Sequence, residues 1–189
     1  MKKPQETSFR PLLACIIMQL AMGMLYGWSV LLAPLEQSLE ASRSEVSLAY
    51  SLAFIFVTIG CFVTHRLLQI MKLPSLTLLI LSTGAIGVAL AGFGGSIYTL
   101  IIGYGVLFGF SSGVSYFLAV SACGIKTPFP HSVALSIAVA SFALGGVIWP
   151  PIYTNLIDLL GVHGALEASA LVILFSGLIC YYLFKSSNT

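Results

Sequence analysis

Charge is scarce in this chain. Eight basic and six acidic residues are spread over 189 positions, 7% of the sequence, where soluble domains carry about 25%. With 58% hydrophobic residues and a mean hydropathy of +1.03, the chain has far more apolar sequence than a soluble core requires. Strand-length alternation of polar and apolar residues is missing, which excludes a β-barrel. There is no Walker-type glycine loop and no Cys/His cluster, which removes support for an ATP-driven pump or a metalloenzyme. No cofactor, metal or nucleic-acid partner is expected. The four cysteines, Cys15, Cys61, Cys123 and Cys180, lack paired spacing and read as small apolar fillers rather than disulfides or ligands.

What is present is a set of six long apolar stretches, at 12–33, 46–64, 75–93, 97–121, 132–149 and 164–184. Each approaches the roughly 20 apolar residues that a helix needs to cross a bilayer. The expected fold is an all-α membrane protein with a six-helix bundle at 12–184, a cytoplasmic tail at 1–11 and another at 185–189. The first stretch follows two lysines, yet it is longer than the roughly 7 to 15 apolar residues of a signal peptide and should remain in the mature chain.

The few charges alternate in sign from gap to gap. Odd-numbered gaps hold Lys2, Lys3, Arg10, Arg66, Lys72, Lys126 and Lys185, seven of the eight basic residues, while the even gaps hold four of the six acids and Glu167 lies just inside the sixth stretch. Basic residues resist translocation, so both termini should face the cytoplasm. With only Gly94-Gly95-Ser96 between the third and fourth stretches, neighbouring helices must run antiparallel, with no room for a soluble domain. All eight prolines fall in tails, loops or span ends. Pro11 and Pro74 suit a first helical turn, and Pro34 and Pro150-Pro151 are expected to close the helices before them. Ser42-Arg43-Ser44-Glu45 matches a capping box.

Small and polar residues at helical spacing mark the faces that meet something other than lipid. In the fourth stretch Gly105, Gly109, Ser112, Gly113 and Tyr116 form one stripe. Its glycines, with Gly145, suit close helix packing. Ser112 and Tyr116 need hydrogen-bond partners in hydrocarbon and point to a neighbour helix or a wet cavity. The first stretch repeats the theme with Gln19, Gly23 and Tyr26, and with Gly27 and Trp28 beside them. The third and sixth stretches, rich in Leu, Ile, Ala and Val, read as lipid-facing. Tyr50 and Trp149, near span ends, read as interfacial belt residues. Gly109-Phe110-Ser111-Ser112-Gly113 fits G-x-S-x-G, but a nucleophile elbow needs a strand-to-helix turn and a nearby base. His65, His131 and His163 all sit at or beyond membrane ends, so no enzyme activity is expected.

Gly23-Met24-Leu25-Tyr26-Gly27-Trp28-Ser29-Val30, Ala33-Pro34-Leu35 and Ser42-Arg43-Ser44-Glu45-Val46-Ser47 resemble the first two helices of major facilitator superfamily transporters. The likeness is to the branch of monocarboxylate transporters and oxalate:formate antiporters. Pro128-Phe129-Pro130, Ala134 to Ala138, Gly145-Gly146 and Pro150-Pro151 are similar to that branch's passage into helix five. The resemblance implies one six-helix half of a twelve-helix secondary transporter, itself two inverted three-helix repeats, multi-pass in the plasma or inner membrane. It implies that the first and fourth helices line a cavity, with Gln19, Tyr26, Trp28, Ser112 and Tyr116 facing a small organic anion and Arg66 latching a cytoplasmic gate. The family's G-x-x-x-D-R-x-G-R-R loop is altered here, since His65 stands for the acid and only Arg66 and Lys72 keep the basic character. Ser141 stands where a family glycine is common. No Arg or Lys falls inside any stretch, so the countercharge for a carboxylate must come from a second half, on a separate chain or in a homodimer. The alternative is a remnant half-transporter that serves only as a structural or partner subunit in the lipid bilayer.

Overall fold

The computed structural model describes residues 8–187, so Lys2 and Lys3 and the outermost parts of both tails lie outside the described residues. Five helices are long and apolar enough to cross a membrane: α1 (Arg10–Ser38), α2 (Arg43–Ile70), α3 (Leu73–Phe93), α4 (Ile97–Ala122) and α5 (His131–Ser187). No strand occurs among the described residues, and the protein is an all-α membrane protein. At 1.5 Å per residue the 57 residues of α5 would measure about 85 Å, against a hydrocarbon core of about 30 Å. One residue resolves the mismatch. Gly161 has φ 73° and ψ 173°, a conformation open essentially to glycine alone, and it divides α5 into arms 131–160 and 162–187.

Contacts at the tips show how the helices alternate. At one end the Ser8 amide donates to the Lys126 carbonyl (2.7 Å), Arg10 to the Ser186 carbonyl (3.5 Å) and Lys126 Nζ to the Ser187 carbonyl (2.5 Å). These gather the start of α1, the α4–α5 link and the end of α5. At the opposite end His163 Nδ1 lies 2.7 Å from the Gly92 carbonyl and Nε2 lies 2.6 Å from Ser38 Oγ. A carbonyl only accepts, so Nδ1 carries the hydrogen and Nε2 accepts the Ser38 hydroxyl. One imidazole thus ties the ends of α1 and α3 to the start of the second arm of α5. The chain's sparse charges separate accordingly. Arg10, Arg66, Lys72, Lys126 and Lys185 sit at the first, basic end, and Glu36, Glu40, Glu45, Asp158 and Glu167 at the other, with Arg43 3.8 Å from Glu36.

The helices outrun the apolar stretches at several of their ends. Contrary to expectation, α1 continues through Pro34 to Ser38, and α5 runs through Pro150 and Pro151 as far as Gly161. Each proline removes one backbone donor without ending the helix. One turn after the pair, Thr154 and Asn155 donate to the Pro150 and Pro151 carbonyls at 3.1 and 2.8 Å. Pro11 and Pro74 do occupy first turns, where no donor is lost.

The start of α2 carries a complete capping box. Ser42 is extended (φ −69°, ψ 152°), its Oγ accepts from the Glu45 amide (3.4 Å), and Glu45 Oε2 accepts from the Ser42 amide (2.8 Å) and hydroxyl (2.7 Å). The Ser42 hydroxyl, followed by its amide, holds the Glu45 carboxyl below the usual carboxylate range. A depressed folded value means that the contribution is complete above the ordinary Glu pKa of about 4.3 and is lost as the pH falls through the folded value. Thermal unfolding of the native chain and of Glu45→Gln is therefore expected to differ at neutral pH and to converge in acid.

Glycine sets the spacing between helices. A Cβ on Gly105 would lie 3.0 Å from the Ala49 carbonyl and one on Gly109 2.6 Å from the Ala53 carbonyl, while one on Gly113 would run into the Val57 carbonyl. The α4 glycines thus lie directly on the α2 backbone. The expectation that the third helix faces lipid does not hold. Of the most apolar window of each, 56% is buried in α3 and only 22% in α2. Gly84 and Gly87 seat α3 against Ser111 and Gly103 of α4, and Gly84 also touches Met22 of α1, so its apolar character reflects helix contact on several sides.

Candidate functional site

Two helices lose regularity along their length. In α1, Gly23–Gly27 tightens into a 3₁₀ turn, and in α4, Ile101–Phe108 widens into a π-helical stretch. Both departures are uncommon inside long helices and cluster at functional positions. The tightened turn lies where α1 approaches α5 most closely. A Cβ on Gly145 of α5 would lie 2.5 Å from the Gly23 Cα, and one on Gly23 would strike the Phe142 carbonyl, so these helices cross on bare backbone. Gly27 lies under the Tyr153 ring, and Trp149 donates its indole N–H to the Leu20 carbonyl (2.9 Å) beside the tightened turn. Trp149 is therefore an interior anchor rather than a belt residue.

The residues singled out from sequence do not share one surface. Trp28 is 5% exposed, stacked on Tyr50 (5.3 Å, 9°) and tilted against Tyr104 (4.7 Å), which in turn meets Phe108 (4.9 Å). It packs between helices instead of lining an open wall, and Tyr50 joins it there rather than in an interfacial belt. Ser112 is also buried, its hydroxyl 3.6 Å from Met22 Sδ. The α4 stripe is wide enough to divide among neighbours: its glycines meet α2, Ser112 meets α1 and Tyr116 meets α5.

Tyr26 and Tyr116 do come together, through a residue the sequence did not single out. Each presents a T-shaped contact to Phe142, with centroids 5.4 Å apart in both pairs. Phe142 is buried, Tyr26 is 43% exposed and Tyr116 half-buried, so α1, α4 and the first arm of α5 build a face of two phenols around one aromatic ring. Gly146 supports it, since Tyr26 Cβ lies 3.1 Å from where a Cβ would be. The signal for Phe142 was its place one turn before Gly145 and Gly146.

Gln19 is the outlier of the core. It is fully buried, and neither its amide oxygen nor its nitrogen has a hydrogen-bond partner among the described residues. Cys15 Sγ reaches the Ala119 carbonyl (3.7 Å) and Met22 takes the Ser112 hydroxyl, which places Gln19 between these contacts on the α1–α4 seam. An amide left in this state costs roughly 1–3 kcal/mol. Tyr104 Oη is buried and unpaired in the same way. Charge is absent from this region, because every described Lys, Arg, Asp and Glu lies toward an end of the bundle. The site can donate and accept hydrogen bonds and stack, but it offers no cation to a carboxylate. Arg66 is exposed near the basic end of α2 and makes no ion pair among the described residues.

No protein-family profile matches the chain. It is similar to an uncharacterized MFS-type transporter, YhjX, of Escherichia coli strain K12, with 27% identity over 159 residues. The aligned region covers 84% of this chain and 40% of that protein, so the chain spans well under half the length of the relative it matches.

Proposed function

We propose that the chain crosses the bilayer six times and forms one half of a major facilitator transporter for small organic anions, of the monocarboxylate or oxalate/formate type. The observation that carries this reading is the similarity to an MFS-type transporter along 84% of the chain. It is supported by the Tyr26–Phe142–Tyr116 face, which lies on the two helices that the resemblance assigns to the cavity together with the fifth. The basic end faces the cytoplasm. Tyr26 and Tyr116 hold the substrate by hydroxyl and ring edge, and Gln19 hydrogen-bonds it in a state where the α1–α4 seam opens. The second half supplies the cation that this bundle lacks. Rocking of one half on the other gives alternating access, with Arg66 latching the cytoplasmic side.

Purified chain in liposomes, offered labelled oxalate, formate, lactate and pyruvate, tests this. Uptake is expected when a second six-helix half is co-reconstituted or when the chain is shown to be a homodimer. Robust uptake by a demonstrated monomer would overturn the half-transporter reading, and no uptake in any arrangement would overturn the substrate class.

A further inference from the structure

Three polar side chains share one level inside the bundle. Tyr104 stands two turns into α4 from Ile97, Ser169 two turns into the second arm of α5 from Val162, and Tyr153 two turns before Gly161. At 1.5 Å per residue each lies about 10–12 Å from the acidic end. All three are fully buried.

The two phenols close on one point of α1. A Cβ on Gly27 would lie 2.6 Å from the Tyr153 ring, and the Tyr104 ring packs against Trp28, the next residue, with centroids 4.7 Å apart. The phenols are near enough to interact electrostatically, and Ser169 stands beside Tyr153. Both irregular stretches reach this level, since Gly27 ends the 3₁₀ turn and Tyr104 lies in the π-helical stretch.

Neither phenol hydroxyl makes a hydrogen bond of good geometry to any described residue. Ser169 does not complete the set, because it gives its only hydrogen to the Ala165 carbonyl (2.7 Å) and can only accept. Left dry, a buried hydroxyl forfeits the hydrogen bonds it makes to water in the unfolded chain. A cation would lack a counter-charge here: Glu167, the nearest acid along the arm, packs against Gly92 of α3. The ligand that fits is small and neutral, and both accepts and donates.

We propose that this level holds ordered internal water, which accepts from the phenols of Tyr104 and Tyr153 and donates to Ser169 Oγ, so tying α4 to both arms of α5. The site is independent of the transport reading, since it requires only the folded bundle.

Pulsed X-ray radiolysis of the native chain, read by mass spectrometry, tests it, because hydroxyl radicals formed from bound water oxidise the side chains beside it even where bulk solvent is excluded. Tyr104 and Tyr153 are expected to be labelled about tenfold faster than Phe184, an aromatic residue just as buried among apolar neighbours. Tyr104→Phe should slow labelling at Tyr153, since the water loses an anchor. Tyr104→Phe and Tyr153→Phe should each lower the melting temperature, and the double variant should fall short of the sum of the two. Labelling of both tyrosines at the rate of Phe184 would overturn the proposal, as would a rise in melting temperature for both single variants, the mark of dry hydroxyls. So would a melting temperature that follows sodium against choline chloride and loses that dependence in Tyr104→Phe, which would give the site to a cation.

Discussion

Replacing Gly145 by valine is expected to prevent this bundle from forming. At this crossing both partners are backbone: the Cβ alone would stand 2.5 Å from the Gly23 Cα and 2.7 Å from its carbonyl carbon. A flexible side chain can turn aside from such an intrusion, but a main chain in a helix cannot. Overpacking a fitted interface typically costs about 1–3 kcal/mol, and a clash with fixed backbone belongs at or above the top of that range. Separating α1 from α5 would also pull Trp149 from the Leu20 carbonyl and Phe142 from Tyr26. Loss of the monodisperse species on size exclusion, or a large fall in melting temperature, is the expected result. Gly146→Ala is the control, since its Cβ would meet the Tyr26 side chain at 3.1 Å and should be accommodated.

The second large effect has opposite signs in two measurements. Gln19→Leu removes a buried amide that has no partner and replaces it with an apolar side chain of similar size, so the chain should become more stable, by roughly 1–3 kcal/mol. If the proposed function holds, the same change should cut anion transport by the assembled transporter at least about tenfold, because one hydrogen bond to a charged acceptor is worth about 1.5 kcal/mol or more. A structural role alone predicts the reverse pairing, lower stability with transport unaffected. Melting temperature and liposome uptake on one protein preparation separate the two.

The membrane class and the positions of most helices were legible in the sequence because hydrophobic length and charge placement act directly on the bilayer. The capping box at Ser42 was equally legible, being a four-residue pattern that completes itself locally. What escaped depends on partners distant in the chain. Pro34, Pro150 and Pro151 looked like stops, since the cost of a missing donor is visible locally and the packing of the whole helix is not. Trp28 and Ser112 carry the residue types of a cavity wall, yet whether they face space or Tyr50 and Met22 is decided by rotation of neighbouring helices. Phe142 passed unnoticed because an aromatic residue in an apolar run is ordinary until Tyr26 and Tyr116 arrive on either side. The unpaired state of Gln19 is invisible in a sequence altogether.

The break at Gly161 bears on how the protein is made. A single residue joins the two arms of α5, and such a link has no slack: the second arm cannot travel farther from the first than one residue's reach, under about 4 Å per peptide step. The two arms are therefore expected to insert as a closely tied pair, with Asp158 near the turn between them. A helix-forming replacement at Gly161 would favour one rod of about 85 Å, far too long to fit crosswise in the membrane, and is expected to lower the yield of membrane-inserted chain.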